Sequence, residues 1–263
     1  MSSEVQPGKF SVGEFADQIR TQMVPVSSRF SYFLTGVSLG EEDLKEYVEE
    51  PVGALPLAIA RLLPEVSILL VPYLEGTVHG RARSHARFED RICFEPPDPR
   101  RLILSSQLIK PTGAILAFGI RDEDVAEYHY RLYHELAALV AHYAGDETLD
   151  QFSGVVREEL SANVHGEVDD ESWELKQALL RRQRNLKRRT KGFARYARQS
   201  FIDSLTLYLH GICCDIDVEA GPRQLASRHV RRRIELLQSL YPAPEGYAVF
   251  PEELNHLDEL PAG

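Results

Sequence analysis

The residues best suited to chemistry lie in two neighbouring helical patterns near the middle of the chain. His134 and Glu135 are adjacent in the first pattern, and Glu159 and Asn163 lie four residues apart in the second. An imidazole can ligate a metal or transfer a proton, and a carboxylate can ligate a metal or act as a general base. Side chains of these types could therefore hold a metal ion that activates a water molecule.

This pattern resembles the gluzincin zinc metallopeptidases, especially their small forms. In that family an HExxH helix supplies two His ligands and the base, and a downstream Glu-x-x-x-Asp supplies the third ligand and a supporting carboxylate. The resemblance implies that His134 and Glu159 are zinc ligands. It also implies that Glu135 is the catalytic base and that Asn163 takes the supporting position. Ala138 stands where the family has its second His.

Three other histidines are candidates for the missing ligand, although none has the family spacing: His129, His142 and His165. His142 lies eight residues after His134, which is about 12 Å along a straight helix and roughly 80° around it. Catalytic zinc normally has three protein ligands, so a His and a Glu alone should hold it weakly. A plain hydrogen bond from His134 to Glu159, joining two helices, is the simpler interpretation.

These observations favour a non-catalytic function. We expect a metallopeptidase-like scaffold or interaction protein with an incomplete zinc site and no bound cofactor. The alternative is an active, metal-dependent peptide hydrolase that uses His134 and Glu159 with a non-standard further ligand, zinc being its cofactor and Glu135 its general base.

Helical spacing predicts the elements that must position these side chains. The first helix has an apolar stripe, and His134 projects from its opposite side among small residues. In the second helix, Glu159 shares a phase with Phe152 and Val156. A carboxylate on an apolar face must be paired, hydrogen-bonded or bound to metal, because an isolated buried charge is costly.

The order of the remaining patterns predicts an α+β fold. Short apolar runs at 66–71, 78–88, 91–95 and 114–120 are typical of strands and indicate a small sheet in the N-terminal half. The chain after Gly166 has helical spacing. We expect three segments: an N-terminal arm at 1–40, a single metallopeptidase-like domain at 41–240, in which the helix of His134 packs on that of Glu159, and a Pro-rich acidic tail at 241–263.

The composition limits the classes of protein to which this chain can belong. The 263 residues carry a net charge of −10, and 43% of them are hydrophobic, which is ordinary for a globular protein. No stretch approaches 18 consecutive apolar residues, and the three cysteines have no C-x-x-C spacing. We therefore expect a cytoplasmic protein with no membrane segment.

One segment is strongly basic. Residues 176–198 contain ten Lys or Arg and no Asp or Glu. Such a cluster predicts binding to an acidic protein partner or to nucleic acid, with Phe193 and Tyr196 as stacking surfaces in the second case. The acidity of the whole chain disfavours nucleic acid. The candidate binding residues are Arg181, Arg182, Arg184, Lys187, Arg188 and Arg189.

Overall fold

A computed structural model describes residues 10–76, 90–182, 190–214 and 223–249. The chain divides into two units, the first formed by residues 1–53 and 63–131 and the second by residues 54–62 and 132–263. The predicted α+β class is confirmed, since the five-stranded sheet lies in the N-terminal half and the C-terminal half is helical. The single domain expected over 41–240 stays a prediction.

The elements of the described chain follow in order. The N-terminal half contains α1 (Val12–Ile19), β1 (Val24–Pro25), β2 (Phe30–Leu34), α2 (Glu41–Leu44), α3 (Glu50–Gly53), α4 (Leu57–Leu62), β3 (Val66–Val71), β4 (Tyr73–Glu75), β5 (Arg91–Cys93), β6 (Leu102–Ile103), β7 (Ser105–Lys110) and β8 (Gly113–Gly119). The C-terminal half contains α5 (Val125–Tyr143), α6 (Asp146–Ser161), α7 (Asp170–Arg182), α8 (Lys191–Cys213) and α9 (Ser227–Leu240).

The main sheet has the strand order β1-β2-β3-β8-β7. Its three central strands are parallel, with Phe30 opposite Val66 and Val66 opposite Ala114, whereas β1 and β7 pair antiparallel at the edges. A near-continuous apolar run such as that of β3 is typical of a parallel strand, because both of its faces are covered. The carboxyl ends of β2, β3 and β8 consequently meet at one edge of the sheet.

The predicted strands at 66–71, 91–95 and 114–120 correspond to β3, β5 and β8. The strand predicted at 78–88 lies outside the described residues. The segment predicted as an arm supplies α1 and β2, the latter a central strand. Ser11 caps α1 by accepting from the backbone N–H of Glu14, and Phe15 and Ile19 then join the core of the sheet.

Helix α8 is the centre of the second unit. Thr190 caps it by accepting from the backbone N–H of Phe193, and its buried face contacts α6, α7 and α9. The rings of Tyr133 on α5 and His210 on α8 lie 5.9 Å apart. Among the residues that the structure describes, no helix is both long and apolar enough to cross a bilayer.

Candidate functional site

Glu159 lies in the second unit as a buried carboxylate on α6, 1% exposed, as its place on an apolar face predicts. Its partner is Arg233 on α9. The Nη2 atom of Arg233 donates to Oε2 of Glu159 at 2.6 Å, and Nε donates to the same oxygen at 3.1 Å and to Oε1 at 3.3 Å. A bidentate arginine satisfies both oxygens of a carboxylate with two charge-assisted contacts. Both carboxylate oxygens of Glu159 are therefore paired with a cation of the chain itself.

Arg233 continues this contact to a second buried carboxylate. Its Nη1 atom donates at 2.8 Å to Glu167, which also accepts from Lys176 at 3.0 Å and from the hydroxyl of Tyr196. Nη1 reaches the Ser200 hydroxyl at 2.8 Å as well. The two carboxylates and the two cations balance in charge. We call Glu159, Glu167, Lys176 and Arg233 the buried ion network.

Opposite charges offset the effect of burial on Glu167 and on Arg233. Burial by itself would raise the pKa of Glu167, but Arg233 and Lys176 hold that pKa below its ordinary value. Burial likewise opposes the charge on Arg233, and the two glutamates more than offset it, which raises the pKa of the guanidinium. Such a network is costly to break from one side, because the remaining charge is then buried without a partner.

His134 lies elsewhere in the second unit. It is half-buried on α5 and makes no hydrogen bond within the described residues. It makes a small electrostatic contribution that lowers the pKa of Asp203 on α8. Burial raises the pKa of Asp203 to about 6, although hydrogen bonds from Ser172 and Gln199 lower it. The imidazole of His229 lies close to Glu159, with its Nδ1 3.7 Å from Oε1. The structure does not bring His134 and Glu159 into contact.

Asn163 has a backbone role at the end of α6. Its φ of 55° is left-handed, its N–H donates to the carbonyl of Leu160, and the next N–H, that of Val164, donates to the carbonyl of Glu159. This pair of bonds is a Schellman cap, in which Asn is tolerated at the left-handed position. The side chain of Asn163 is exposed, so capping explains this residue without a metal.

The other candidate residues are dispersed. Glu135 is half-buried on α5 and has a partner of its own. His129 is buried in the first unit, with Nε2 2.8 Å from the Glu46 carbonyl oxygen. His142 and His165 are exposed and contact the rings of Tyr143 and Trp173 respectively.

The donor set does not fit a zinc site of the gluzincin type. Both oxygens of Glu159 are hydrogen-bonded to a guanidinium, and a zinc ion there would stand beside a buried positive charge. Across the described ranges, no three His, Cys, Asp or Glu side chains are grouped so that they could hold a metal ion.

The basic segment divides between a buried and an exposed part. Lys176 belongs to the buried ion network, and Phe193 and Tyr196 are buried, so these two rings offer no stacking surface. Arg181 and Arg182 are exposed at the end of α7. The other four candidates, Arg184, Lys187, Arg188 and Arg189, lie outside the described residues.

Arg233 is the partner of Glu159 that the sequence did not lead us to predict. It shares the inward phase of α9 with Val230 and Leu237, and that phase is the signal that could have identified it. Glu167 had no comparable signal, because it lies between two helices, where its backbone pairs with Arg223 and Leu225. In comparisons with known proteins, the sequence matched no protein-family model and no curated protein.

Proposed function

We propose that this chain is a non-catalytic scaffold or interaction protein, in which Glu159 holds helices together instead of ligating a metal. The observation that carries this proposal is the bidentate contact of Arg233 with Glu159. On this proposal, the gluzincin-like pattern indicates a helical scaffold and not a catalytic activity. The neutral balance of the buried ion network fits a structural role, because each charge in it already has an opposite charge.

Zinc stoichiometry tests this proposal. Purified protein is incubated with zinc, dialysed and measured by elemental mass spectrometry, and we expect far less than one zinc per chain. One zinc per chain in the wild type contradicts the proposal. The hydrolase alternative requires, in addition, peptide hydrolysis that Glu135→Gln abolishes.

An Ala138→His variant tests the family resemblance separately. It restores HExxH on α5, so a gain in zinc affinity would support a gluzincin-like arrangement. Unchanged zinc content would count against it. The matched control is Ala194→His, which adds a histidine at an exposed position of α8.

A basic face of the second unit favours an acidic partner for the scaffold. Lys191, Arg195 and Arg198 recur at i, i+4 and i+7, and all three are exposed on one side of α8. None of them forms an ion pair within the described chain, in contrast to Arg223 and Arg232, which pair with acids. Because Phe193 and Tyr196 are buried, we favour an acidic protein over a nucleic acid.

Charge reversal tests the basic face. Binding to fluorescent poly-glutamate and to single-stranded DNA is measured by anisotropy at several salt concentrations. We expect salt-sensitive binding to poly-glutamate that Arg195→Glu with Arg198→Glu weakens and the exposed control Arg61→Glu leaves unchanged. Tighter binding to DNA would favour nucleic acid, and binding that neither salt nor charge reversal changes would remove this function.

A further inference from the structure

Two cavities border the carboxyl ends of the parallel strands in the first unit. One has a volume of about 450 Å³ and is lined by residues 36–39 after β2, by Tyr47, and by Ile120, Arg121 and Glu123 after β8. The other, of about 230 Å³, lies beside the ends of β3 and β8. Small-molecule sites are concave, so both cavities are candidate binding sites.

The loop at 36–39 lines the larger cavity and contains successive backbone donors. The flanking amides have acceptors, since the N–H of Thr35 donates to the carbonyl of Leu70 and that of Gly40 to the carboxylate of Asp43. The four N–H groups between them have no acceptor among the described residues. Successive unpaired backbone N–H groups favour an anion.

Arg121 adds a positive charge at the place where the two cavities meet. It lines both of them, and it forms no ion pair within the described part of the chain. Of the two neighbouring carboxylates, Asp122 accepts from the neutral hydroxyl of Tyr73 at 2.9 Å, and Glu123 pairs with Arg131. Among the described residues that line the larger cavity, Arg121 is the one cation and Glu123 the one carboxylate.

The smaller cavity has a different chemistry. Its apolar lining comes from Pro72, Tyr73, Leu102 and Leu104. It is also lined by five charged residues: Arg121, Asp122, Glu123, Glu127 and Arg131. Both leucines are 41% exposed, which is high for large apolar side chains and suits contact with a ring. Glu123 lines both cavities with a nearly buried side chain. Besides its ion pair with Arg131, its carboxylate has further lone pairs that can accept hydrogen bonds from ligand hydroxyls.

We propose that this edge of the sheet binds a nucleotide. Its phosphate lies against the amides of residues 36–39 and Arg121, its sugar hydroxyls donate to Glu123, and its base packs between Tyr73 and the two leucines. A nucleotide combines an anion, hydroxyls and a flat ring, and the two cavities together contain a possible partner for each of these groups. This inference concerns the first unit alone and does not depend on the proposed function.

Calorimetric titration of the full chain with AMP, adenosine and inorganic phosphate tests this site. We expect AMP to bind, and adenosine and phosphate each to bind at least about ten-fold more weakly, because each lacks one half of the contacts. Arg121→Met should weaken AMP binding roughly ten-fold, as expected for the loss of a charge-assisted contact. The matched control Arg100→Met, an exposed arginine of the same unit outside both cavities, should leave it unchanged.

Hydrogen exchange gives an independent measurement on the wild-type protein. AMP should slow exchange in the peptide that contains residues 36–40. Absence of binding at millimolar AMP, or protection confined to another part of the chain, would overturn the proposal. Phosphate that binds as tightly as AMP would reduce the site to an anion site and refute the nucleotide.

Discussion

Two adjacent arginines on α9 provide a controlled test of the buried ion network. Arg233 pairs with Glu159 and Arg232 with Glu158, so both pairs join α9 to α6. They differ in burial: the side chains of Arg233 and Glu159 are 0% and 1% exposed, whereas those of Arg232 and Glu158 are 49% and 65% exposed. Substitution of each arginine by methionine therefore compares a buried with an exposed Arg–Glu pair between the same two helices.

The expected losses differ several-fold. Arg233→Met leaves Glu159 with no cation except a protonated His229, whereas Glu167 retains Lys176. Breaking a buried pair from one side costs about 3–5 kcal/mol, because the remaining charge is left without compensation. Arg232→Met removes a solvated pair, which contributes about 0–1 kcal/mol. We expect a difference of at least about 2 kcal/mol between the two variants.

Urea unfolding followed by circular dichroism measures both variants. A double variant, Arg233→Met with Glu159→Leu, restores the charge balance of the network and should recover part of the loss, about 1–3 kcal/mol. Equal destabilisation by Arg233→Met and Arg232→Met would refute the reasoning, since burial would then have no effect. If the double variant did not recover stability, the loss in Arg233→Met would be due to packing and not to the unpaired charge of Glu159.

Two further predictions concern individual residues of the second unit. The pKa of Asp203 is raised from 3.8 to about 6, so the folded state binds this proton more tightly than the unfolded chain and stability falls as pH rises from about 4 to 6. Asp203→Asn removes that loss. In urea unfolding, the free energy of unfolding of the variant relative to wild type should therefore rise by on the order of 3 kcal/mol between about pH 4 and pH 7. An equal difference between the two proteins at both pH values would contradict this prediction. At the left-handed Asn163, Asn163→Ala should cost about 1 kcal/mol in thermal unfolding and Asn163→Gly almost nothing; equal losses would assign a role to the amide side chain.

Local chemistry made several features predictable from the sequence. The strand β3 follows from its continuous run of aliphatic side chains, and the stripes of α5 and α8 follow from helical spacing, which decides which side chains are covered. The burial of Glu159 followed in the same way from its phase on α6. Strand β2 was not predicted, because its short aromatic run acquires its role only by pairing with β3.

The partner of Glu159 was decided by tertiary structure alone. The sequence by itself determined that this carboxylate lies on an apolar face and needs a compensating group. It could not determine whether that group comes from 25 residues upstream or 74 residues downstream, because helical phase specifies a face and not the helix that covers it. Packing of α9 against α6 placed Arg233 there, and His134 came within electrostatic reach of Asp203 instead.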